Sequence, residues 1–168
     1  MSVAGFRVRI ASAADLARVV EMERAIAEAP HWAEAEYAAI VHAGDVDAVV
    51  RRCLLVVEAE ERLLGFAVGK VVGLDMGGAA ELESVAVESG VRRSGVGKAL
   101  CEATVDWCRR LGATAVELEV RAGSRGAIAL YEGLGFVVVG SRKGYYRGPV
   151  EDAVMMRLEL RGTLLAEK

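Results

Sequence analysis

LESVAVESGVRRSGVGKAL, residues 82–100, leads from an apolar strand into a helix through a loop that carries glycines and cations. Val85, Ala86 and Val87 close the strand, and Glu88–Gly95 form the loop. Val96 opens a helix in which Val96, Leu100, Ala103, Trp107 and Leu111 fall on one stripe. In the pattern Arg92-x-x-Gly95-x-Gly97 both glycines stand at the first helical turn, where glycine lets the backbone approach a ligand closely. The first N–H groups of a helix have no internal partner, and the helix dipole adds positive potential there. With Arg92, Arg93 and Lys98 alongside, the loop suits an anion such as a pyrophosphate. The same residues also fit an ordinary strand-to-helix turn with solvated cations. The loop is neither a Walker loop nor a Rossmann fingerprint, because the full motifs G-x-x-x-x-G-K-[ST] and G-x-G-x-x-G are both absent.

Outward from this loop, hydrophobic period supplies the remaining elements. Phe6–Ile10 alternates apolar and basic residues, as a half-buried strand does. Ser12 and Asp15 have capping-box spacing ahead of a helix that carries Leu16, Val19, Met22 and Ile26 on one face and ends by Pro30. A second helix runs from Trp32–Glu34 to about Gly44. Cys53–Ala59 and Leu63–Val72 form a hairpin about a polar turn, and Gly73–Gly78 is a loop. Ala80–Val87 is the strand already described. Downstream come a strand at Thr114–Val120, a helix at Ser124–Leu134 and strands at Phe136–Val139 and Ala153–Leu160, the last two separated by a loop rich in glycine and tyrosine. The order β-α-α-β-β-β-α-β-α-β-β predicts an α/β (α+β) fold. Its sheet is mixed and mostly antiparallel, and the crossover helix after Val87 permits one parallel pair.

Composition sets the bounds. At roughly 100–200 residues per domain, 168 residues predict one domain over 1–168. With 54% apolar residues and a net charge of −3, the chain is not of the disordered class. It has no basic stripe, so nucleic acid is not the expected partner. No apolar run has the length of a membrane span, and MSVAGFRVRI lacks signal-peptide order, so a cytoplasmic protein is expected. Cys53, Cys101 and Cys108 form no C-x-x-C pair and read as small core residues, and His31 and His42 have no helper cysteine, so no metal is expected.

LESVAVESGVRRSGVGKAL resembles the acetyl-CoA-binding motif of the GNAT acetyltransferase superfamily, whose pattern is Q/R-x-x-G-x-G/A. LEVRAGSRGAIALYEGLGF (118–136) and GYYRGPVEDAVMM (144–156) resemble its RimI-type group, the ribosomal-protein N-terminal acetyltransferases. The likeness is strong over Glu81–Met156. Over Phe6–Val72 it rests on element order and the Pro30-x-Trp32 region.

The resemblance implies a GNAT fold of about seven strands with helices on both faces, and acetyl-CoA as cosubstrate. The backbone of Val85, Ala86 and Val87 would bind the pantetheine arm and thioester. The amides of Arg93, Ser94, Gly95, Val96, Gly97 and Lys98, with Arg92, would take the pyrophosphate. Ser124 stands where the group commonly has asparagine, with a shorter reach to the cofactor. Glu119 matches the general base, and Tyr131 the tyrosine that protonates the leaving thiolate. Alternation alone puts Ala115, Glu117 and Glu119 on one strand face, which equally describes solvated carboxylates. Tyr131 on an amphipathic helix equally describes core packing. Glu28, His31, Trp32 and Tyr37 would flank an acceptor groove on one side, with Tyr145 and Tyr146 on the other. An acidic groove, through Glu28 or Glu117, would suit a cationic acceptor.

The function so implied is direct acetyl transfer to a protein N-terminal α-amine, a ribosomal protein being one candidate, by a monomer or homodimer. Two alternatives remain open: an acetyltransferase for a small amine or lysine side chain, and a non-catalytic acyl-CoA-binding regulatory module.

Overall fold

The computed structural model describes residues 5–27, 29–43, 49–73 and 78–160. The elements follow the expected order: β1 (Arg7–Ile10), α1 (Leu16–Arg24), α2 (Glu34–His42), β2 (Val50–Ala59), β3 (Arg62–Val72), β4 (Ala79–Val87), α3 (Val96–Arg110), β5 (Ala115–Arg121), α4 (Arg125–Gly133), β6 (Val137–Tyr146) and β7 (Glu151–Glu159). The seven strands form one sheet in the order β1-β2-β3-β4-β5-β7-β6, and β4–β5 is its parallel pair. Two sequence expectations change. The first helix ends at Arg24, well before Pro30. β6 continues through Tyr146, so Tyr145 and Tyr146 stand on a strand of a long hairpin instead of in a loop. The expected helix end at Gly44 and most of the Gly73–Gly78 loop lie outside the described residues.

Each face of the sheet buries its own core. On one face α1 and α2 cover Leu54, Val56, Phe66, Val68 and Ala86 with Val19, Met22 and Tyr37. On the other, α3 and α4 cover Leu55, Val57, Ala67, Leu82, Val116, Leu118 and Val120. Helix α3 can lie close on β3 because Gly65 and Gly69 have no Cβ. A Cβ at Gly69 would come 2.7 Å from Thr104 Cγ2, and one at Gly65 would come 3.1 Å from Leu100 Cδ1. Cys101 and Cys108 are fully buried on the inner face of α3. Burial pushes both thiols up to about 12, so they stay protonated and inert.

The strand that decided the sequence reading contains a bulge. Val68 pairs with Ser84 and Gly69 with Leu82, which leaves Glu83 without a partner. An extra residue reverses the alternation of a strand. Ala80 and Leu82 therefore belong to the α3 side, as do Val85 and Val87 beyond the bulge, while Ala86 turns to the α1–α2 side.

The N-terminal capping box forms as its spacing predicts. The Ser12 N–H donates to Asp15 Oδ2 at 2.7 Å, and Arg9 gives Asp15 two bonds, at 2.7 and 2.9 Å. Above all the Arg9 bonds hold the Asp15 carboxyl down at about 2, against the opposing effect of burial. A depressed carboxyl contributes stability that is complete above its unfolded pKa of about 4 and lost as the pH falls through the folded value. The shift corresponds to about 2 kcal/mol. Asp15→Asn should therefore cost about 2 kcal/mol in urea unfolding at pH 7. The gap between the two proteins should close as the pH falls from about 4 to about 2.

Candidate active site

β4 and β5 touch only at their N-terminal ends, where Ala80 pairs with Val116 and Glu81 with Glu117. Beyond that point β4 stays bonded to β3 as far as Val87, and β5 stays bonded to β7 as far as Arg121. The facing edges of the two strands are therefore unpaired over Leu82–Val87 and Leu118–Arg121. Unpaired strand edges offer N–H and C=O groups to whatever enters between them. Val85, Ala86 and Val87 lie on this free edge.

The loop after β4 leads to the mouth of this gap. Ser89–Val91 make a 3-10 turn, and the Ser94 hydroxyl donates to the Val91 carbonyl. Arg93 has φ +63° and Gly95 has φ +89° at the N-cap of α3. At Gly95 that left-handed geometry requires glycine or a strained side chain. Ala99 N–H bonds the Gly95 carbonyl, so the N–H groups of Val96, Gly97 and Lys98 precede the first helical bond and point out of the helix end. Arg92, Arg93 and Lys98 are exposed around them. A Cβ on Gly97 would lie 3.3 Å from Leu130 and 3.5 Å from Val87, so glycine keeps the mouth between β4 and α4 open. Ser124 is the N-cap of α4, and its hydroxyl makes no capping bond.

Glu119 stands on β5 at the free edge, on the face away from α3, with 23% of its side chain exposed. Arg142 Nε lies 3.3 Å from its Oε1. The Glu119 carboxylate, as acceptor for the phenol, is the main cause that raises Tyr145. Glu117, its neighbour on the same face, is taken up by Arg157 at 2.7 Å. Lys70 similarly pairs with Glu81 at 3.0 Å and Glu83 at 3.3 Å. A cleft of about 280 Å³ opens on this face, with Lys70, Glu81, Glu117, Glu119, Arg142 and Met155 in its wall. Its carboxylates are matched by cations, so the wall is a mosaic of both signs and not the simple acidic groove expected.

Tyr131 lies on the opposite face of the sheet, 9% exposed in the α3–α4 core, with its ring 5.9 Å from Phe136. Burial pushes its phenol well up, and the Cys101 thiol and Tyr146 phenol add to the shift. Tyr146 is raised by burial and then by Glu119 and Tyr145, while Arg121 lies 4.3 Å over its ring. Tyr146 thus feels both Glu119 and Tyr131 across the open end of β5. The hairpin is anchored there by Glu151, which accepts from Gly123 N–H at 2.6 Å and lies 3.5 Å from Arg121.

The proposed acceptor side is assembled in part. Trp32 is half-buried and His31 exposed, with φ +55°. Glu28 lies outside the described residues. Tyr37 is corrected: it is 0% exposed and packs between Trp32, at 5.5 Å, and Phe66, at 5.8 Å. Tyr37, Ile40 and Val41 share the inner face of α2, so Tyr37 supports the wall from below and cannot touch an acceptor. Sequence reasoning missed Arg142, Arg121, Arg157 and Lys70, whose pairings depend on strand register. It also missed the fully buried Glu23. Among the described residues no cluster of three or more His, Cys, Asp or Glu could hold a metal ion. No described helix is long and apolar enough to cross a membrane.

Known proteins resemble this chain at every level. The pattern of the Acetyltransferase (GNAT) family matches residues 17–136. The [ribosomal protein bS18]-alanine N-acetyltransferase of Salmonella typhimurium is 39% identical over 104 residues, which span 61% of this chain and 68% of that protein. The crystal structure of the ribosomal-protein-S18-alanine N-acetyltransferase from Escherichia coli superposes with a TM-score of 0.77 at 30% identity, over 97% of this chain and 100% of the other. Arabidopsis thaliana NAA60, in complex with a bisubstrate analogue, shares the fold with a TM-score of 0.81 at 21% identity, over 94% of this chain and 100% of the other.

Proposed function

The chain belongs to the GNAT acetyltransferase family and is an N-acetyltransferase; from that premise we propose that it moves the acetyl group of acetyl-CoA onto the α-amine of a protein N-terminus. The bS18-alanine acetyltransferases it resembles make an N-terminal alanine of a ribosomal protein the leading acceptor. The observation that carries the reading is the unpaired gap between β4 and β5, with Glu119 on one side of the sheet and Tyr131 on the other. The free backbone edges suit the two amides of a pantetheine arm. The outward N–H groups at the start of α3 suit its pyrophosphate.

In this scheme the amine nitrogen attacks the thioester carbonyl carbon and the carbon–sulfur bond breaks. Glu119 takes the proton that the ammonium must lose, directly or through one water. Backbone N–H groups beside Val87 polarise the carbonyl. Tyr131 carries its proton at neutral pH, as an ordinary phenol does, and burial only strengthens that hold, so it presents a donor to the departing sulfur. A thiol of ordinary pKa, roughly 8.5, is more acidic than this phenol. Tyr131 therefore stabilises the developing thiolate as a hydrogen-bond donor, and the proton that makes the product thiol is the second one shed by the attacking nitrogen, relayed through this hydroxyl as the carbon–sulfur bond breaks.

An α-amine titrates at roughly 7.7–8.0 and a lysine at roughly 10.4, so the α-amine costs about 3.4 kcal/mol less to deprotonate. One half-exposed carboxylate suffices for the former. A panel of peptides with free N-terminal alanine, set against spermidine and Nα-blocked lysine peptides, tests the proposal. The α-amine peptides should turn over at least about 10²-fold faster. Faster turnover of the polyamine or lysine would replace this reading with the small-amine or lysine one. Tight acetyl-CoA binding in calorimetry without turnover of any amine would favour a binding module.

A further inference from the structure

Glu23 is a fully buried carboxyl on α1 that the reaction does not use. Its Oε1 accepts the backbone N–H of Trp32 at 2.7 Å, nine residues along the chain. Its Oε2 has no hydrogen-bond partner, and neither does the buried Tyr37 hydroxyl. The two groups face one another: after burial, the Glu23 carboxyl is what raises the Tyr37 phenol. A buried glutamate beside a buried phenol is expensive, since each polar group left short of partners keeps its full desolvation cost. A leucine at this point of an amphipathic helix would cost nothing of the kind. What the glutamate supplies is a fixed address for the segment between α1 and α2.

That segment needs fixing. His31 sits in the left-handed region at φ +55°, where residues other than glycine are uncommon. On its C-terminal side Glu36 Oε2 accepts the Ala33 N–H at 2.7 Å. Two carboxyls, Glu23 and Glu36, thus clamp the backbone on either side of the indole. The Trp32 ring then rests on Tyr37, Tyr37 rests edge-on against Phe66, and Phe66 is the strand partner of Ala86 on the free-edged part of β4. Through these rings the turn is seated on the sheet face that α1 and α2 cover.

We infer that Glu23 is a positioning residue for the acceptor side of the site: through the Trp32 N–H it sets the His31–Trp32 turn, and so the wall against which the acceptor peptide lies. The inference rests on the proposed acetyl transfer to a peptide N-terminus and names what builds the acceptor side. Its action is confined to the acceptor, because α3 and the anion loop lie on the other face of the sheet.

Glu23→Ala should raise the KM for an N-terminal-alanine peptide by about tenfold while the acetyl-CoA Kd stays within about twofold. Glu23→Gln, which retains the acceptor oxygen for Trp32 N–H, should return the peptide KM close to wild type. A second readout does not need turnover. In a Trp107→Phe background Trp32 is the sole tryptophan, and Glu23→Ala should shift its emission to the red while Glu23→Gln does not. An unchanged peptide KM, or parallel losses for peptide and acetyl-CoA, would overturn the inference. If the wild-type protein acetylates no peptide, the proposed function fails and the emission decides alone: a red shift reversed by glutamine sustains the clamp, and an unmoved spectrum ends it. Should Glu23→Ala not fold, Glu23→Asp shortens the reach by one methylene and is read the same way.

Discussion

Glu119→Gln lowers kcat on an N-terminal-alanine peptide by about 10²–10³-fold and leaves the acetyl-CoA Kd unchanged. Glutamine keeps the shape of the side chain and an oxygen for Arg142 and Tyr145, which hold the carboxylate now. It cannot take a proton from an ammonium. Glu119 belongs to the open-face cleft and not to the anion loop, so cofactor binding has no reason to change. The loss should also shrink as the pH rises past the α-amine pKa of roughly 8, because more of the acceptor arrives already deprotonated. Stopped-flow CoA release with saturating peptide, measured between about pH 7 and about pH 9.5, gives both the drop and its pH dependence. An unchanged rate at pH 7 would remove Glu119 from the role of base.

Tyr131→Phe is the second large effect. Its ring is packed against Phe136 in the α3–α4 core. Phenylalanine keeps that contact, so unfolding free energy should change by less than about 1 kcal/mol. The hydroxyl alone is lost. Removal of one donor aimed at developing charge costs about 10²-fold in kcat. KM for the peptide should be nearly constant, because the phenol lies on the face opposite the cleft. A loss of stability without a loss of kcat would make Tyr131 a core residue and nothing more.

Much of this could be read before any coordinates. Helical and strand period placed every element in order, and the glycine pattern at Gly95 and Gly97 marked the loop. Both follow from local rules: the stripe on α3 and the positive φ at Gly95 are properties of a few adjacent residues. What sequence missed depends on register. The bulge at Glu83 leaves no composition signal, yet it decides which face Val85, Ala86 and Val87 present. Strand β6 is legible only as far as Val139, because the exposed residues of GSRKGYY break alternation, while its backbone pairing with β7 needs no side-chain pattern. The partners of Glu119 were hidden with it, since Arg142 and Tyr145 lie on that strand. Tyr37 is the reverse case. The resemblance drew it toward the groove, whereas the structure packs it with Ile40 and Val41 on the inner face of α2. Glu23 could not be foreseen, because a glutamate on an amphipathic helix usually faces water.

The central claim is that the acetyl group goes to an α-amine and not to a side-chain amine. It is tested most directly by one peptide that carries both, a free N-terminal alanine and an internal lysine, incubated with the protein and acetyl-CoA. Fragmentation mass spectrometry then locates the added acetyl group. The account predicts acetyl on the alanine nitrogen with the lysine unmodified. Acetyl on the lysine Nζ, with the N-terminus left free, would contradict it.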